Sequence, residues 1–500
     1  MKYVLGIDVG TGGTRALVIG GDGKIASSAT SEHAPFASPK IGWAEQDPHD
    51  WHRAAGAAIR ESVAMAQIDT SDIAAVGLAG QMHGAVLVDE NNEVLRPALI
   101  WCDQRTQAQC DWLKAKVGAA RIIQLTSNPA LTNFTLTKLL WVRDNEPEIW
   151  KRFRRVLLPK DYVRLRLTGE HAIDVSDASG TLMLDVRHRR WSEEMMSAAG
   201  LSMTSLPKLY ESPEVCGRIS EAGQAHTGLK PGTPVVAGAG DQAGGAVGMG
   251  IVSPGAVSAT IGTSGVVFAA TDRPALDPEG RVHSFCHAVP GRWHVMGVTQ
   301  AAGLSLRWLR DLVRDGKAAA YDELTREART VPPGSGGVLW APYLMGERTP
   351  HLDPNARATL TGLAASHTRA HVTRAILEGV AFSLKDSFSL LDEMQVPVRN
   401  VRLGGGGARS PLWRQIQADV YGREVEILAA EEGAAYGAAL LAGVGAKFWD
   451  SVDQACDAVV KVEERVDPDP CAVEALKLQY QNFRALYPAL KPLFGRMSWP

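Results

Sequence analysis

The same short device is written twice in this chain, half its length apart. Residues 4–8 read as an apolar strand that runs into Gly10-Thr11-Gly12-Gly13 and returns through residues 14–19. Residues 257–261 likewise run into Gly262-Thr263-Ser264-Gly265 and return through 266–269. A strand–turn–strand repeated at that separation constrains the chain to two related domains. The length agrees, because 500 residues exceed what a single core fills, ~250–300 residues. Around the two copies, strands alternate with helices. Asp47-Pro48 opens a helix with an acceptor at the cap and proline at the first helical position; Trp51, Ala55, Ala58, Ile59 and Val63 share one face. A strand at 73–80 follows, then Gln81-Met82-His83-Gly84 and a strand at 85–88. Val372, Ile376, Val380, Leu384 and Phe388 mark a long helix by their four-residue recurrence. A strand at 400–403 leads into the turn Gly404-Gly405-Gly406-Gly407, and Ser410-Pro411 caps another helix. This alternation predicts an α/β fold with a largely buried sheet, and Ser253-Pro254-Gly255 puts the boundary between the halves near 245–256.

Composition removes several function classes. Lysine and arginine number 52 against 55 acids, a net charge of −3, which leaves no clustered basic face for nucleic acid and no polybasic membrane patch. With 45% hydrophobic and 21% charged residues, wholesale disorder is excluded. Six cysteines without a CxxC pair fit a reducing compartment rather than a disulfide framework. Asp8 interrupts the apolar run that a signal peptide needs, and the Ala/Gly-rich run 433–446 is shorter than the ~18 residues of a membrane span. A cytoplasmic chain is expected.

The chemistry concentrates at the glycines. No Walker A loop is present: Gly23-Lys24 is followed by Ile25, and Gly316-Lys317 by Ala318. Gly238-Ala239-Gly240-Asp241-Gln242-Ala243 fits the dinucleotide spacing, but Asp241 would point a negative charge at a pyrophosphate and no acid follows in a matching unit. What remains are three glycine-rich turns, at 10–13, 262–265 and 404–407, each directly after a strand. Glycine lets backbone N–H groups approach an anion, and Thr or Ser adds a hydroxyl donor, so two such turns from related halves could hold a polyphosphate. Asp8 precedes the first turn, where a buried carboxylate needs a partner; a hydrated Mg²⁺ travelling with a nucleotide, or a role as turn cap, would supply one. Asp241 stands where a strand meets a helix and reads either as the base that accepts a hydroxyl proton or as an N-cap. His83 alone reads as a hydrogen-bonded histidine at a strand end. His283, Cys286 and His287 have helical i,i+4 spacing, which without further ligands reads as a buried structural cluster. Glu347 and Arg348 read as a pair within a loop.

Gly6-Ile7-Asp8-Val9-Gly10-Thr11, the turn at 262–265 and Gly405-Gly406-Gly407-Ala408-Arg409-Ser410 resemble the phosphate and adenosine motifs of the FGGY carbohydrate kinases, in the actin–hexokinase–Hsp70 superfamily. Gly80-Gln81-Met82-His83-Gly84, Trp43-Ala44-Glu45-Gln46-Asp47-Pro48, Leu158-Pro159-Lys160-Asp161-Tyr162 and the run Tyr343 to His351 are similar to the xylulokinase branch. Glycerol kinases carry an Arg-Glu pair where this chain has Met82-His83. The likeness covers about residues 3–445. It implies two actin-like, RNase H-fold domains with a deep cleft: 1–245 for the sugar, 246–445 for ATP, with a helical segment at 446–500. It further implies Asp241 as catalytic base and Asp8 beside Mg²⁺, held through water. Gln81, Met82, His83 and Gln242 would meet the ketose; Thr11, Gly12, Gly262 and Thr263 would line the phosphates, with Gly405 and Gly406 against adenosine. Gln242 departs from the Asn of several relatives, which puts the choice of ketose in doubt. The implied reaction is ATP-dependent phosphorylation of D-xylulose to D-xylulose 5-phosphate. A kinase for another ketose or polyol such as ribulose, and a non-enzymatic actin- or Hsp70-like ATP module, remain as alternatives. The expected partners are a small sugar and ATP, without nucleic acid or membrane, and with a homodimer admitted as the assembly.

Overall fold

Aliphatic alternation builds the first sheet. β1 (Tyr3–Val9) and β2 (Gly13–Gly20) pair antiparallel with Val9 opposite Thr14, and β3 (Ile25–Glu32) extends the meander. In this computed structural model, residues 2–313, 321–429 and 433–497 are described; Gly316-Lys317, set aside above as a phosphate loop, lies outside them. α1 (Pro48–Ala66) begins at Asp47, whose side chain accepts the His49 N–H at 3.0 Å, and leads to β4 (Ile73–Gly80), parallel to β1. Among the elements that follow, α2 (Thr135–Asn145), α3 (Pro159–Thr168) and α4 (Val175–Ser179) surround the site. β5 (Val215–Arg218), β6 (Pro234–Val236) and β7 (Ala239–Gly240) complete a seven-stranded sheet, order β5-β6-β4-β1-β2-β3, with β7 paired to β4. α5 (Asp241–Gly248) leaves the end of β7.

The second half repeats this plan. β8 (Ala256–Ile261), β9 (Gly265–Thr271), β10 (His283–Cys286) and β11 (Trp293–Thr299) are followed by α6 (Gly303–Leu312) and the long α7 (Arg369–Glu393). β12 (Asn400–Gly405), α8 (Pro411–Tyr421), β13 (Val425–Leu428), α9 (Gly433–Gly445), β14 (Val462–Val466) and α10 (Pro470–Phe494) complete the description. The sheet order is β10-β11-β9-β8-β12-β13-β14. β8, β9 and β11 match β1, β2 and β3; β12 and β13 match β4 and β6; antiparallel β14 matches β5. The repeated hairpin is therefore part of a repeated sheet, and the molecule is a two-domain α/β fold of the actin-like type. α7 buries Ile376, Val380, Leu384 and Phe388 against the second sheet, with Val372 at the margin.

Three readings change. Gly404 and Gly405 are the last residues of β12, and the turn starts at Gly406 as a short 3₁₀ helix, Gly406–Ala408. Gly405 has φ 71°, and a Cβ there would lie 2.5 Å from the Ile261 carbonyl oxygen, so only glycine fits. His283 and Cys286 lie in the extended strand β10, so the helical spacing does not converge. His283 Nδ1 hydrogen-bonds Asn128 at 3.0 Å and His287 Nε2 the Ile251 carbonyl at 2.8 Å; no metal-holding group of three or more His, Cys, Asp or Glu exists among the described residues. Glu347 and Arg348 form no side-chain ion pair among the described residues. The Glu347 carboxylate accepts instead the N–H groups of Gln300 and Arg348 at 2.9 and 2.8 Å.

The Ala/Gly-rich run folds as α9, buried along most of its length, and no described helix is long and apolar enough to cross a membrane. α9 packs on β1, β4 and α5, and glycine makes that contact backbone to backbone. A Cβ on Gly6 would lie 2.0 Å from Ala435 O, on Gly77 2.1 Å from Ala438 O, and on Gly437 1.8 Å from Gly244 O. Gly437→Ala should therefore force helix and sheet apart and cost ~1–3 kcal/mol, read as a lower urea midpoint. A midpoint equal to the parent's would show that α9 moves aside without penalty.

Candidate active site

β1, β4 and β7 lie side by side and parallel, with Asp8 level with Ala79 and Ala239, and Val9 level with Gly80 and Gly240. Asp8, Gln81-Met82-His83 and Asp241 thus emerge at neighbouring carboxyl ends of strands, the usual position for ligands in such sheets. Gly240 is the N-cap of α5 and Asp241 its first residue, so Asp241 is not the cap. Asp8 Oδ1 is buried without a hydrogen-bond partner among the described residues.

Both carboxyl groups are shifted upward, and Asp8 contributes to the shift of Asp241. Burial, then the Asp8 charge, lifts Asp241 from the ordinary 3.8 to about 7, against hydrogen bonds from the Gln242 backbone and side chain. Burial lifts Asp8 to about 6, and the Arg15 charge opposes it. A carboxylate poised near neutrality accepts a proton far better than an ordinary one. Asp8 Oδ1, a buried acceptor with nothing to accept from, fits the outer shell of a hydrated divalent cation.

The first turn is braced from behind. Gly10 donates to Gly13 O at 3.0 Å, and Thr11 Oγ1 accepts from Trp101 Nε1 at 3.0 Å and donates to Gln81 Oε1 at 3.3 Å. Gln81 Nε2 donates to Gly10 O at 3.2 Å and Gln46 Oε1 at 2.9 Å, while Gln46 Nε2 donates to Thr11 O at 2.7 Å. Gln81, expected on the sugar, is placed behind the turn, because both its amide protons are already engaged. Gly12 is exposed at the tip.

Met82 and His83 form the wall beside Asp241. Met82 packs so closely that a Cβ on Gly240 would lie 2.9 Å from its Cγ. His83 Nδ1 is 2.7 Å from Gly180 O. A carbonyl only accepts, so Nδ1 carries the proton and Nε2 is a lone-pair acceptor with no protein partner among the described residues. Burial pulls this imidazole down to about 3, so it is neutral at physiological pH. Gln242 is half-buried next to the base.

The other predicted residues gather on the second sheet. Gly262 N donates to Ser264 O at 2.9 Å, and Gly262 and Thr263 are exposed. Ile261 pairs with Gly405, so Gly405 and the exposed Gly406 adjoin that turn. Sequence reasoning missed Arg307, which donates to Thr263 Oγ1 at 3.0 Å from the first turns of α6. It also missed Trp101 and Gln46 behind Thr11; Gln46 sits inside a motif already singled out, whereas Trp101 carried no signal.

Family models for the N-terminal and C-terminal domains of the FGGY carbohydrate kinases match residues 3–248 and 257–446. The chain belongs to the FGGY family of carbohydrate kinases. It is 40% identical to xylulose kinase of Escherichia coli (strain K12), over 98% of this chain and 100% of the relative. Xylulose kinase of Bacillus subtilis (strain 168) is 38% identical over 99% of this chain and 98% of the relative. A crystal structure described as a "xyloylose kinase" from Brucella ovis superposes with a TM-score of 0.92 at 38% identity, covering 98% of this chain and 100% of that one. The protein is thus a sugar kinase with ATP as its second substrate.

A catalytic base at Asp241 would carry a pH signature. Catalytic efficiency should rise with pH through about 7 as Asp241 loses its proton. Asp241→Asn should lower turnover by ~10²–10⁴-fold and abolish that rise. The same variant should melt higher than the parent. A carboxyl whose folded pKa is raised stabilises fully only below its unfolded value and loses that stability as pH climbs to about 7, so the gap should open between those limits. An Asn variant that melts lower at pH above 7, or retains turnover, would place the base elsewhere.

Proposed function

We propose that this kinase transfers the γ-phosphoryl group of ATP to the primary hydroxyl of D-xylulose, giving D-xylulose 5-phosphate. The observation that carries this reading is the Met82-His83 wall beside Asp241. It offers an apolar surface and one neutral lone-pair acceptor, His83 Nε2, which suits a short neutral ketose. The names of the relatives agree with it.

Residues 1–245 would bind the sugar and 246–445 the nucleotide, facing each other across a cleft, with 446–500 as a helical appendix. Met82 packs on the sugar carbons, His83 Nε2 accepts a hydroxyl proton in a hydrogen bond, and the Gln242 amide reaches another hydroxyl. Asp241 removes the proton of the primary hydroxyl as its oxygen bonds the γ-phosphorus and the bond to the β–γ bridging oxygen breaks, releasing ADP. Exposed Gly12 and Gly262 present backbone N–H groups to the phosphates, with Thr11 and Thr263 beside them. Gly405 and Gly406 leave room for adenosine. Mg²⁺, when bound with ATP, would neutralise developing phosphate charge; Asp8 would hold its shell through water. The cytoplasm, where ATP is available, is the proposed compartment.

A coupled ADP-release assay across sugars tests the assignment. D-xylulose should give the highest kcat/KM, D-ribulose a lower one, and glycerol and gluconate marginal values. His83→Ala should cost ~1–3 kcal/mol in kcat/KM for D-xylulose. A better rate with glycerol or gluconate would overturn the substrate, and no sugar-dependent ADP release would overturn the kinase chemistry. Asp8→Ala should raise the Mg²⁺ requirement and depress kcat with little change in sugar affinity; an unaltered Mg²⁺ titration would remove Asp8 from the metal's shell.

A further inference from the structure

His83 holds a left-handed backbone, φ 68°, which a non-glycine residue of its size keeps only where its surroundings over-determine it. Those surroundings meet at its carbonyl. Lys138 Nζ donates to His83 O at 2.9 Å and to Asn133 O at 2.7 Å, and Thr135 Oγ1 donates to the same His83 O at 3.1 Å. Thr135 and Lys138 are three apart on α2, hence on one face, and both are fully buried. Phe134, the residue before α2, meets the His83 ring edge to face at 5.1 Å. Backbone and ring of His83 are therefore held by the start of one helix, and Gly180 takes the ring's proton.

Lys138 is an unusual choice for mere packing. It forms no ion pair among the described residues, and burial pulls its ammonium down to about 7, against the more distant charges of Asp103 and Cys102. Burying an amine among neutral carbonyls costs stability that an apolar side chain of the same volume would not. What the amine supplies, and an apolar side chain would not, is a second donor at the His83 carbonyl beside Thr135, tied at the same time to Asn133 O.

We propose that Lys138, helped by Thr135, is a positioning residue for the sugar: it fixes the left-handed backbone of His83 and so aims Nε2 at the ketose. This rests on the reading of His83 as a sugar contact. Without the donor, the peptide relaxes toward negative φ and carries the imidazole off its line, so sugar binding suffers more than phosphoryl transfer.

Lys138→Met keeps the length of the side chain and removes its donors. In the ADP-release assay on the full-length protein, it should raise KM for D-xylulose by ~10–100-fold while kcat and KM for ATP stay within ~3-fold. Thr135→Val should raise the same KM by ~3–10-fold. In a His83→Ala background, each substitution should change KM by less than ~2-fold, because no imidazole remains to be aimed. A purely structural role would instead lower the melting midpoint and kcat, and would add its full effect in both backgrounds. A KM within ~2-fold of the parent in Lys138→Met, or equal increments in both backgrounds, overturns the proposal. If Lys138→Met does not fold, Thr135→Val in the two backgrounds decides by the same criterion. A parent-like KM in His83→Ala itself refutes the sugar contact and this proposal with it, whereas a normal His83→Ala effect beside silent Lys138 and Thr135 variants refutes only the positioning role.

Discussion

The placement of the two acids depends on how closely α9 approaches the first sheet. β1 carries Asp8, α5 carries Asp241, and both elements are seated on α9. Gly6, Gly77, Gly244 and Gly437 leave no side chain at these contacts, so the helix backbone rests directly on strand and helix backbone. Close packing of this kind has few alternative arrangements, and it fixes the separation of Asp8 and Asp241 through elements rather than through the acids' own hydrogen bonds. α9 lies far along the chain from β1, after all but the last strand of the second sheet. The first sheet is therefore incomplete until the second half has been made, which couples the two halves mechanically.

A second constraint is electrostatic. Burial raises the proton affinity of Asp8 and, with the Asp8 charge, that of Asp241, and a buried ionic cluster stands behind them. Lys160 Nζ lies 2.5 Å from Asp161, 2.8 Å from Asp174 and 3.2 Å from Asp177, and Arg164 lies 2.6 Å from Asp161, all fully buried. Three carboxylates face two cations, and burial together with its acidic neighbours lifts Asp177 well above the ordinary range. Asp174 caps α4 and bonds Ser176, whose hydroxyl accepts the Gly240 N–H at 3.2 Å. The network therefore ends on the residue before the base and anchors β7 where α5 departs.

Much of this was legible in the sequence, for identifiable reasons. The hairpins, the Asp47-Pro48 helix start and the α7 stripe were readable because short-range pattern and chain geometry determine them. Asp8 and Asp241 were findable because a charged residue at the end of an apolar strand is costly and needs a reason. Gln81 was misplaced because its partners, Gly10 and Gln46, come from two other parts of the chain, and spacing cannot say which way an amide turns. His283, Cys286 and His287 are buried as read, but the i,i+4 spacing of His283 and His287 means proximity only in a helix, and β10 is extended. Glu347 and Arg348 were read as a local pair, yet Glu347 is caught by backbone N–H groups from Gln300 and Arg348. Lys138 gave no signal of its own: a lysine in a helix is ordinary until a distant carbonyl is found beneath it.

The duplicated sheets explain why one half acquired the acids and the other did not. In the shared topology β1 corresponds to β8, and aligning the two turns sets Asp8 against Thr260, Gly6 against Ser258. Both halves keep a glycine turn whose backbone can meet phosphate, a property of the hairpin itself. Only the first half receives α9 on its sheet. At the equivalent place in the second half, a carboxylate beside the glycine turn would repel a bound phosphate. Threonine is neutral and β-branched, so it suits the strand and leaves the anion unopposed. The two hairpins therefore differ in kind: one carries a carboxylate beside its glycine turn, the other a neutral residue.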